Sequence, residues 1–476
     1  MNVYILIILA YLAALTIMNF WKSRKVKSQE DMMLAGRSIP VYKMVFTLIC
    51  TWIGSGTFIA GAEFAAKAGW SAMWLPIGAW IGIVLIYFLA AKIRTFGQYT
   101  VGDILEERYG PVARVFGAFA IIVSFTVIVS YQFRGGSWVL NTITEGRISE
   151  KQGIIIVAAF VIMYTLLAGM LSVAYLDIFN GILMITAFFT AIPFLIHHVG
   201  GLDFITANLP QRQDWFLGNM SWLQAMGYFV PTLLLALGNG NMYQRFFSAK
   251  NEHEAKKSVI GWVIGVILLG IGIQSIAVIG SSYFKGLGET ESGRIIVLAA
   301  FKGMPVVIGC LMMAAVVAIV ISTANSFLLV PATNVVRDIY QRFINPKLPD
   351  KQMILFSRLV VIVLGVIAYS LISFFPRVLD AAYAAYTIYG AGITPALLAV
   401  FFWKRATVKG GVSSILGGMS VTILWEILNK SMGALPLGLP AVYPALLCSL
   451  TLLIVVSLVT PKPDPEKWRP FFKTAE

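Results

Sequence analysis

Charge is what this sequence has least of. Asp, Glu, Lys and Arg together make up 12% of its 476 residues, about half the share of an average soluble domain. A water-soluble fold of that length would lack the polar surface to cover itself, so a soluble globular protein is excluded. Histidine is nearly absent too. His197 and His198 sit side by side at a helix end and His253 in a loop, which is not a metal-binding pattern. The three cysteines, Cys50, Cys310 and Cys448, fall inside apolar segments with no pairing or metal-ligand spacing; they read as small core residues. HExxH, GxSxG, Walker A and CxxC patterns are all missing, so no enzyme chemistry is signalled. No basic stretch precedes the first apolar run, whose lysines come after it. That run is read as a retained helix rather than a cleaved signal peptide.

Long apolar runs are what the sequence does have. Apolar residues make up 58% of the chain and mean hydropathy is +0.82. A helix that crosses a bilayer needs roughly 20 apolar residues. Candidate spans fall at 2–21, 44–66, 70–91, 115–140, 152–171, 173–196, 221–243, 259–282, 303–331, 354–375, 379–403, 411–428 and 440–460. The expectation is an all-α membrane protein of about 13 transmembrane helices, with 1–476 as a single transmembrane domain. Thirteen crossings put the termini on opposite sides. The net charge of +14 sits in short loops, which suits a membrane rather than nucleic acid. Alternate loops hold 26 of the 36 basic residues, so by the positive-inside rule those loops are cytoplasmic, the N-terminus is outside and the C-terminus is inside.

Two of the candidate helices, five apart, are interrupted. The second holds Gly54-Ser55-Gly56 at mid-span; the seventh holds Pro231 and then Gly238-Asn239-Gly240. Paired interrupted helices point to the central site of a transporter, although glycine also serves close helix packing. The ninth span carries Ser322, Thr323, Asn325 and Ser326 within five residues. Their oxygens can replace the water shell of a hard cation, or the hydroxyls can bond back to their own helix. Asp177 neutralises a cation, pairs with a base or reaches interfacial water. Arg134 presents a fork that suits a carboxylate, or pairs with an acid such as Glu63. Glu63 serves an outer gate or a solvated helix end. Tyr383, Tyr386 and Tyr389, spaced three apart, line a cavity or pack between helices.

Six segments in order resemble the sodium:solute symporter family. They are Met33-Leu34-Ala35-Gly36-Arg37, Ile53-Gly54-Ser55-Gly56-Thr57-Phe58, the run from Tyr99 to Gly110, Gln244-Arg245 with Ser248-Ala249-Lys250, Ser322-Thr323 followed by Asp338-Ile339-Tyr340, and Phe402-Trp403-Lys404-Arg405. The resemblance implies a leucine-transporter-type fold of two inverted five-helix repeats. An extra N-terminal helix and loop (1–40) would precede a ten-helix core (41–403), with two further helices and a cytoplasmic tail (404–476) after it. It also implies a sodium site built from the main-chain oxygens of Cys50, Ile53 and Ile319 and the hydroxyls of Ser322 and Thr323. A second sodium would use Asp177, Asn325 and Ser326, with Asn325 standing where other members have Ser or Thr. Solute would bind against Ser55, Thr57, Arg134 and Asn239, and Arg134 resembles the carboxylate-binding residue of the family's sialic-acid carriers. The implied function is sodium-coupled uptake of a small organic solute, one bearing a carboxylate, across a bacterial plasma membrane. The partners are that solute, sodium and the lipid bilayer, with no organic cofactor and no nucleic acid. The alternatives are a proton-coupled carrier using Asp177 and a solute-binding channel or sensor.

Overall fold

A computed structural model describes residues 2–24, 28–209 and 216–472. The other positions, which include parts of the 22–43 and 197–220 loops and the end of the tail, lie outside it. Among the described residues the regular elements are helices. In order, α1 is Val3–Ser23, α2 Val41–Trp52, α3 Ser55–Ala68, α4 Trp74–Phe96, α5 Pro111–Ile143, α6 Glu150–Leu167, α7 Met170–Val199 and α8 Trp222–Gly238. They are followed by α9 Gly240–Ser248, α10 Glu252–Tyr283, α11 Val306–Thr333, α12 Asp350–Leu371, α13 Val378–Gly392, α14 Thr394–Phe402, α15 Val408–Met432 and α16 Val442–Val459. Among the described residues eleven helical runs are long and apolar enough to cross a membrane; dividing the run Ser55–Phe96 between α3 and α4 and adding α8 with α9 makes thirteen crossings. Three of them come in two pieces: α2 with α3, α8 with α9, and α13 with α14.

The first two breaks have a local cause. Ile53 and Gly54 leave the helix for extended backbone (ψ 106° and −173°), and Gly54 becomes the N-cap residue of α3. No larger residue fits there, since a Cβ on Gly54 would lie 2.8 Å from Thr323 Cγ2. In the second break Asn239 turns out of the helix (ψ 114°), and its side chain accepts from the Asn241 N–H to start α9. The carbonyls this frees are not left bare in lipid, where each would cost several kcal/mol. Tyr389 donates to the Gly238 carbonyl at 2.6 Å, Tyr243 to Leu237 at 3.2 Å and Thr394 to Leu234 at 2.8 Å.

The two broken crossings run in opposite senses. The Phe64 ring of α3 meets Tyr228 of α8 at 4.1 Å between centroids, while Gly54 and Asn239, at the other ends of those two helices, line one cavity. The crossing α13–α14 and helix α11 are the most enclosed. Helices α1, α6, α12 and α16 leave apolar faces exposed, as expected of lipid-facing helices. One departure from the expected spans lies in the seventh, which continues buried as far as Ser248. That carries Arg245 out of its expected loop and into the packed interior.

The end of the bundle with the basic loops is closed by ion pairs. Arg114 lies 2.6 Å from Asp338, 2.7 Å from Asp103 and 2.5 Å from Glu106, and Arg342 adds a 2.6 Å contact to Glu106. Burial pushes the Glu106 carboxyl up, but hydrogen bonds from Arg342 and Arg114 outweigh it and hold the group below its usual value. Nearby, one guanidinium nitrogen of Arg108 donates to the Trp403, Lys404 and Ala406 carbonyls at 3.2, 3.0 and 2.8 Å. Arg108 therefore clamps the turn after α14. Arg108→Ala removes this donor from all three carbonyls, of which Trp403 keeps the Ala406 N–H at 3.2 Å, and is expected to destabilise the fold by on the order of 2 kcal/mol, read as a lower melting temperature in detergent. An unchanged melt would show that the clamp is dispensable.

Candidate solute and ion site

The break between α2 and α3 meets α11 through oxygen atoms. Thr323 Oγ1 donates to the Ile53 carbonyl at 2.8 Å and the Cys50 carbonyl at 3.2 Å. Ser322 Oγ reaches the Cys50 carbonyl at 3.2 Å and the Ile319 carbonyl of its own helix at 3.3 Å. The five atoms expected from the sequence, contributed by Cys50, Ile53, Ile319, Ser322 and Thr323, thus form one cluster. Two are carbonyls at the C-terminal end of α2, one is a carbonyl within α11, and two are hydroxyls. All are neutral oxygens in buried surroundings, the donor set that suits a hard monovalent cation.

Asp177, Asn325 and Ser326 are arranged differently. Asp177, 1% exposed, accepts from Thr47 at 2.7 Å. Arg245, also 1% exposed, donates to Thr47 at 3.1 Å and to Ser326 at 2.8 Å. Ser326 also meets Thr51 at 3.2 Å, and Asn325 Oδ1 is buried without a partner among the described residues. A guanidinium therefore stands among the groups expected to hold a second sodium.

A cavity opens beside the break. Its walls are Trp52, Trp80, Tyr131, Phe327 and Tyr386, with Gly54, Gly56, Thr57, Gln132, Thr232, Asn239 and Thr323 among its polar and backbone surfaces. Thr57 and Asn239 lie where the sequence suggested. Ser55 is next to the cavity rather than in its lining, with its Oγ buried and unpartnered. Arg134 is not in the lining. Its guanidinium donates to the Phe375, Pro376 and Ile372 carbonyls and so holds the loop between α12 and α13. Its two terminal nitrogens are engaged by main-chain oxygen, while Nε has no partner among the described residues. Glu63 plays the matching part on α3, accepting from the Val378 and Leu379 N–H groups at 3.2 and 2.7 Å, so it caps α13. The three tyrosines divide: Tyr389 and Tyr383 donate to carbonyls of α8, and Tyr386 lines the cavity.

Residues 32–418 match the Sodium:solute symporter family. The chain belongs to that family. It is a sodium-coupled solute symporter, not an enzyme. The Osmoregulated proline transporter OpuE of Bacillus subtilis (strain 168) is 26% identical over 512 residues, which cover 99% of this chain and 98% of that protein. A Sodium/proline symporter of Staphylococcus aureus is 27% identical over 493 residues, covering 96% and 93%. In fold, the symporter matches a Na+-coupled sialic acid symporter with a TM-score of 0.81 at 19% identity over 98% of this chain and 99% of that one. MhsT, solved in complex with L-phenylalanine, matches at 0.57 and 14% identity, over 88% and 99%. The architecture is therefore the leucine-transporter type, as the sequence suggested.

Sequence reasoning missed Arg245, Gln132 and the aromatic walls other than Tyr386. Arg245 was in view only as part of a motif and was assigned to a loop. Gln132 stands two residues before Arg134, whose charge drew attention away from it. The cavity is tight at Gly56, where a Cβ would lie 2.3 Å from Tyr386 Oη and 3.0 Å from Tyr131 Oη. Gly56→Ala is expected to weaken solute binding about tenfold, in line with ~1–3 kcal/mol for overpacking, while the Thr323 cluster still responds to sodium. Radioligand binding and sodium titration on the same purified protein check this, and unchanged solute affinity would move the solute out of this cavity.

Proposed function

We propose that the symporter carries a compact zwitterionic amino acid into the cell, together with one sodium ion held by Cys50, Ile53, Ile319, Ser322 and Thr323. The observation behind this reading is a cavity with no acidic or basic side chain among the described residues of its lining, beside a cluster of neutral oxygens. A solute with net charge would be buried there without a countercharge, which is costly. A zwitterion is neutral overall. Its carboxylate can face the positive N-terminal ends of α3 and α9, and its amine the carbonyl ends of α2 and α8. The aromatic walls suit a small apolar body between these groups. The proline-named relatives make L-proline the first solute to test.

A single sodium follows from Arg245, which already supplies positive charge to the Asp177 and Ser326 groups. Arg134 has no part in solute binding on this reading. The basic end faces the cytoplasm of a bacterial cell, and the ion-pair network there opens when solute is released. Sodium bound between α2 and α11 fixes the break and so shapes the cavity; solute must then tighten sodium binding by the same factor. One charge crossing about 100 mV supplies about 2.3 kcal/mol, and a tenfold sodium gradient adds about 1.4 kcal/mol. Together they sustain a solute gradient of roughly a few hundredfold.

Uptake into proteoliposomes tests the reading. A sodium gradient is expected to drive L-proline accumulation above the external concentration, and a potassium gradient is not. Thr323→Ala removes one of five oxygens and is expected to raise the sodium concentration for half-maximal uptake about tenfold, roughly 1.4 kcal/mol. Sodium dependence unchanged in that variant would place the ion elsewhere.

A further inference from the structure

We propose that Gln132 reads the solute's carboxylate and ties it to the break that carries the sodium cluster. The inference rests on the reading of the cavity as an amino-acid site. Gln132 belongs to α5, is wholly buried and lines the cavity. Its Oε1 accepts from the Ser55 N–H at 2.9 Å, at the first residue of α3. A main-chain N–H can only donate, so the oxygen must face it and the amino group must take the other position. That amino group, Nε2, has no partner among the described residues. It would stand 3.0 Å from a Cβ on Gly54, and Thr323 Oγ1 3.2 Å from the same point. One residue of the break is thus pressed by the glutamine and by the threonine of the oxygen cluster.

A buried amino group without an acceptor is unfavourable, and a carboxylate oxygen is the acceptor that gains most from it, through a charge-assisted bond. Asn239 Nδ2, also buried, unpartnered and in the lining, offers a second donor of the same kind. The cavity can therefore recognise a carboxylate with neutral amides and the N-terminal end of α3, without a basic side chain. The same glutamine explains how the message travels. A carboxylate that fixes Nε2 also fixes Oε1 on Ser55 N–H, and with it the extended Ile53–Gly54 pair whose Ile53 carbonyl meets Thr323. Sodium arriving at that carbonyl orders the glutamine in return.

Gln132→Glu is the decisive variant, because it keeps an acceptor for the Ser55 N–H and replaces the donor with a second acceptor. In purified full-length protein at pH 8, L-proline affinity is expected to fall about 100-fold, from one lost charge-assisted bond and the added repulsion. L-prolinamide, which lacks the carboxylate, should lose less than about threefold on the same arithmetic. Sodium titrated without solute, followed by tryptophan fluorescence, should keep its midpoint and so report a folded ion cluster. The shift of that midpoint by L-proline should vanish. Gln132→Asn, which keeps a shorter donor, should lie between the two proteins and serves if the glutamate variant does not fold. L-proline affinity within about threefold of wild type, or equal losses for L-proline and L-prolinamide, would overturn the proposal. Wild-type protein that binds no amino acid would overturn the amino-acid reading along with it.

Discussion

The contact between Thr323 and the Ile53 carbonyl is the constraint from which the rest follows. A helix broken in the middle of a bilayer exposes main-chain groups that lipid cannot satisfy. Here the exposed carbonyls of Cys50 and Ile53 turn toward two hydroxyls of α11, and the first N–H after the break turns toward Gln132. The break is stable because α11 and α5 complete it. Any cation that takes the place of those hydroxyl donors must act on α2, α3 and α11 together. Coupling of ion to conformation is thus a consequence of how an interrupted helix is satisfied.

The buried arginines follow the same economy of polar groups. Arg108 answers three carbonyls after α14, and Arg134 answers three in the loop before α13. Arg245 spans Thr47, Ser326 and the Asn241 carbonyl. An arginine remains charged at any accessible pH, so inside the bundle it becomes a fixed fastener wherever loose carbonyls or hydroxyls gather. The cavity, by contrast, contains no such group in its lining. Its polarity comes from helix ends, amides and hydroxyls, which can orient a solute without committing the site to one net charge.

Much of this was legible in the residues. Composition and apolar length led to thirteen crossings, and Gly54 and Asn239 marked the two breaks that face the cavity. Ser322 and Thr323 stood out because four oxygen-bearing side chains in five residues are costly at membrane depth unless they have a purpose. Arg134 was harder: in the sequence its fork suits a carboxylate or an acid such as Glu63, and only the fold brings its two terminal nitrogens to the carbonyls of the loop before α13. Arg245 was assigned to a loop because apolar length ends near Tyr243, whereas the helix continues through polar residues that find buried partners. Gln132 carries no charge and breaks no pattern, so nothing in the chain distinguishes it until its neighbours are known.

The most direct test of the account is a structure of the protein at near-atomic resolution in saturating sodium. It should show an ion in contact with the oxygens of Cys50, Ile53, Ile319, Ser322 and Thr323, with the Thr323 hydroxyl no longer donating to Ile53. An ion bound elsewhere, with the bond from Thr323 to the Ile53 carbonyl still intact, would contradict it.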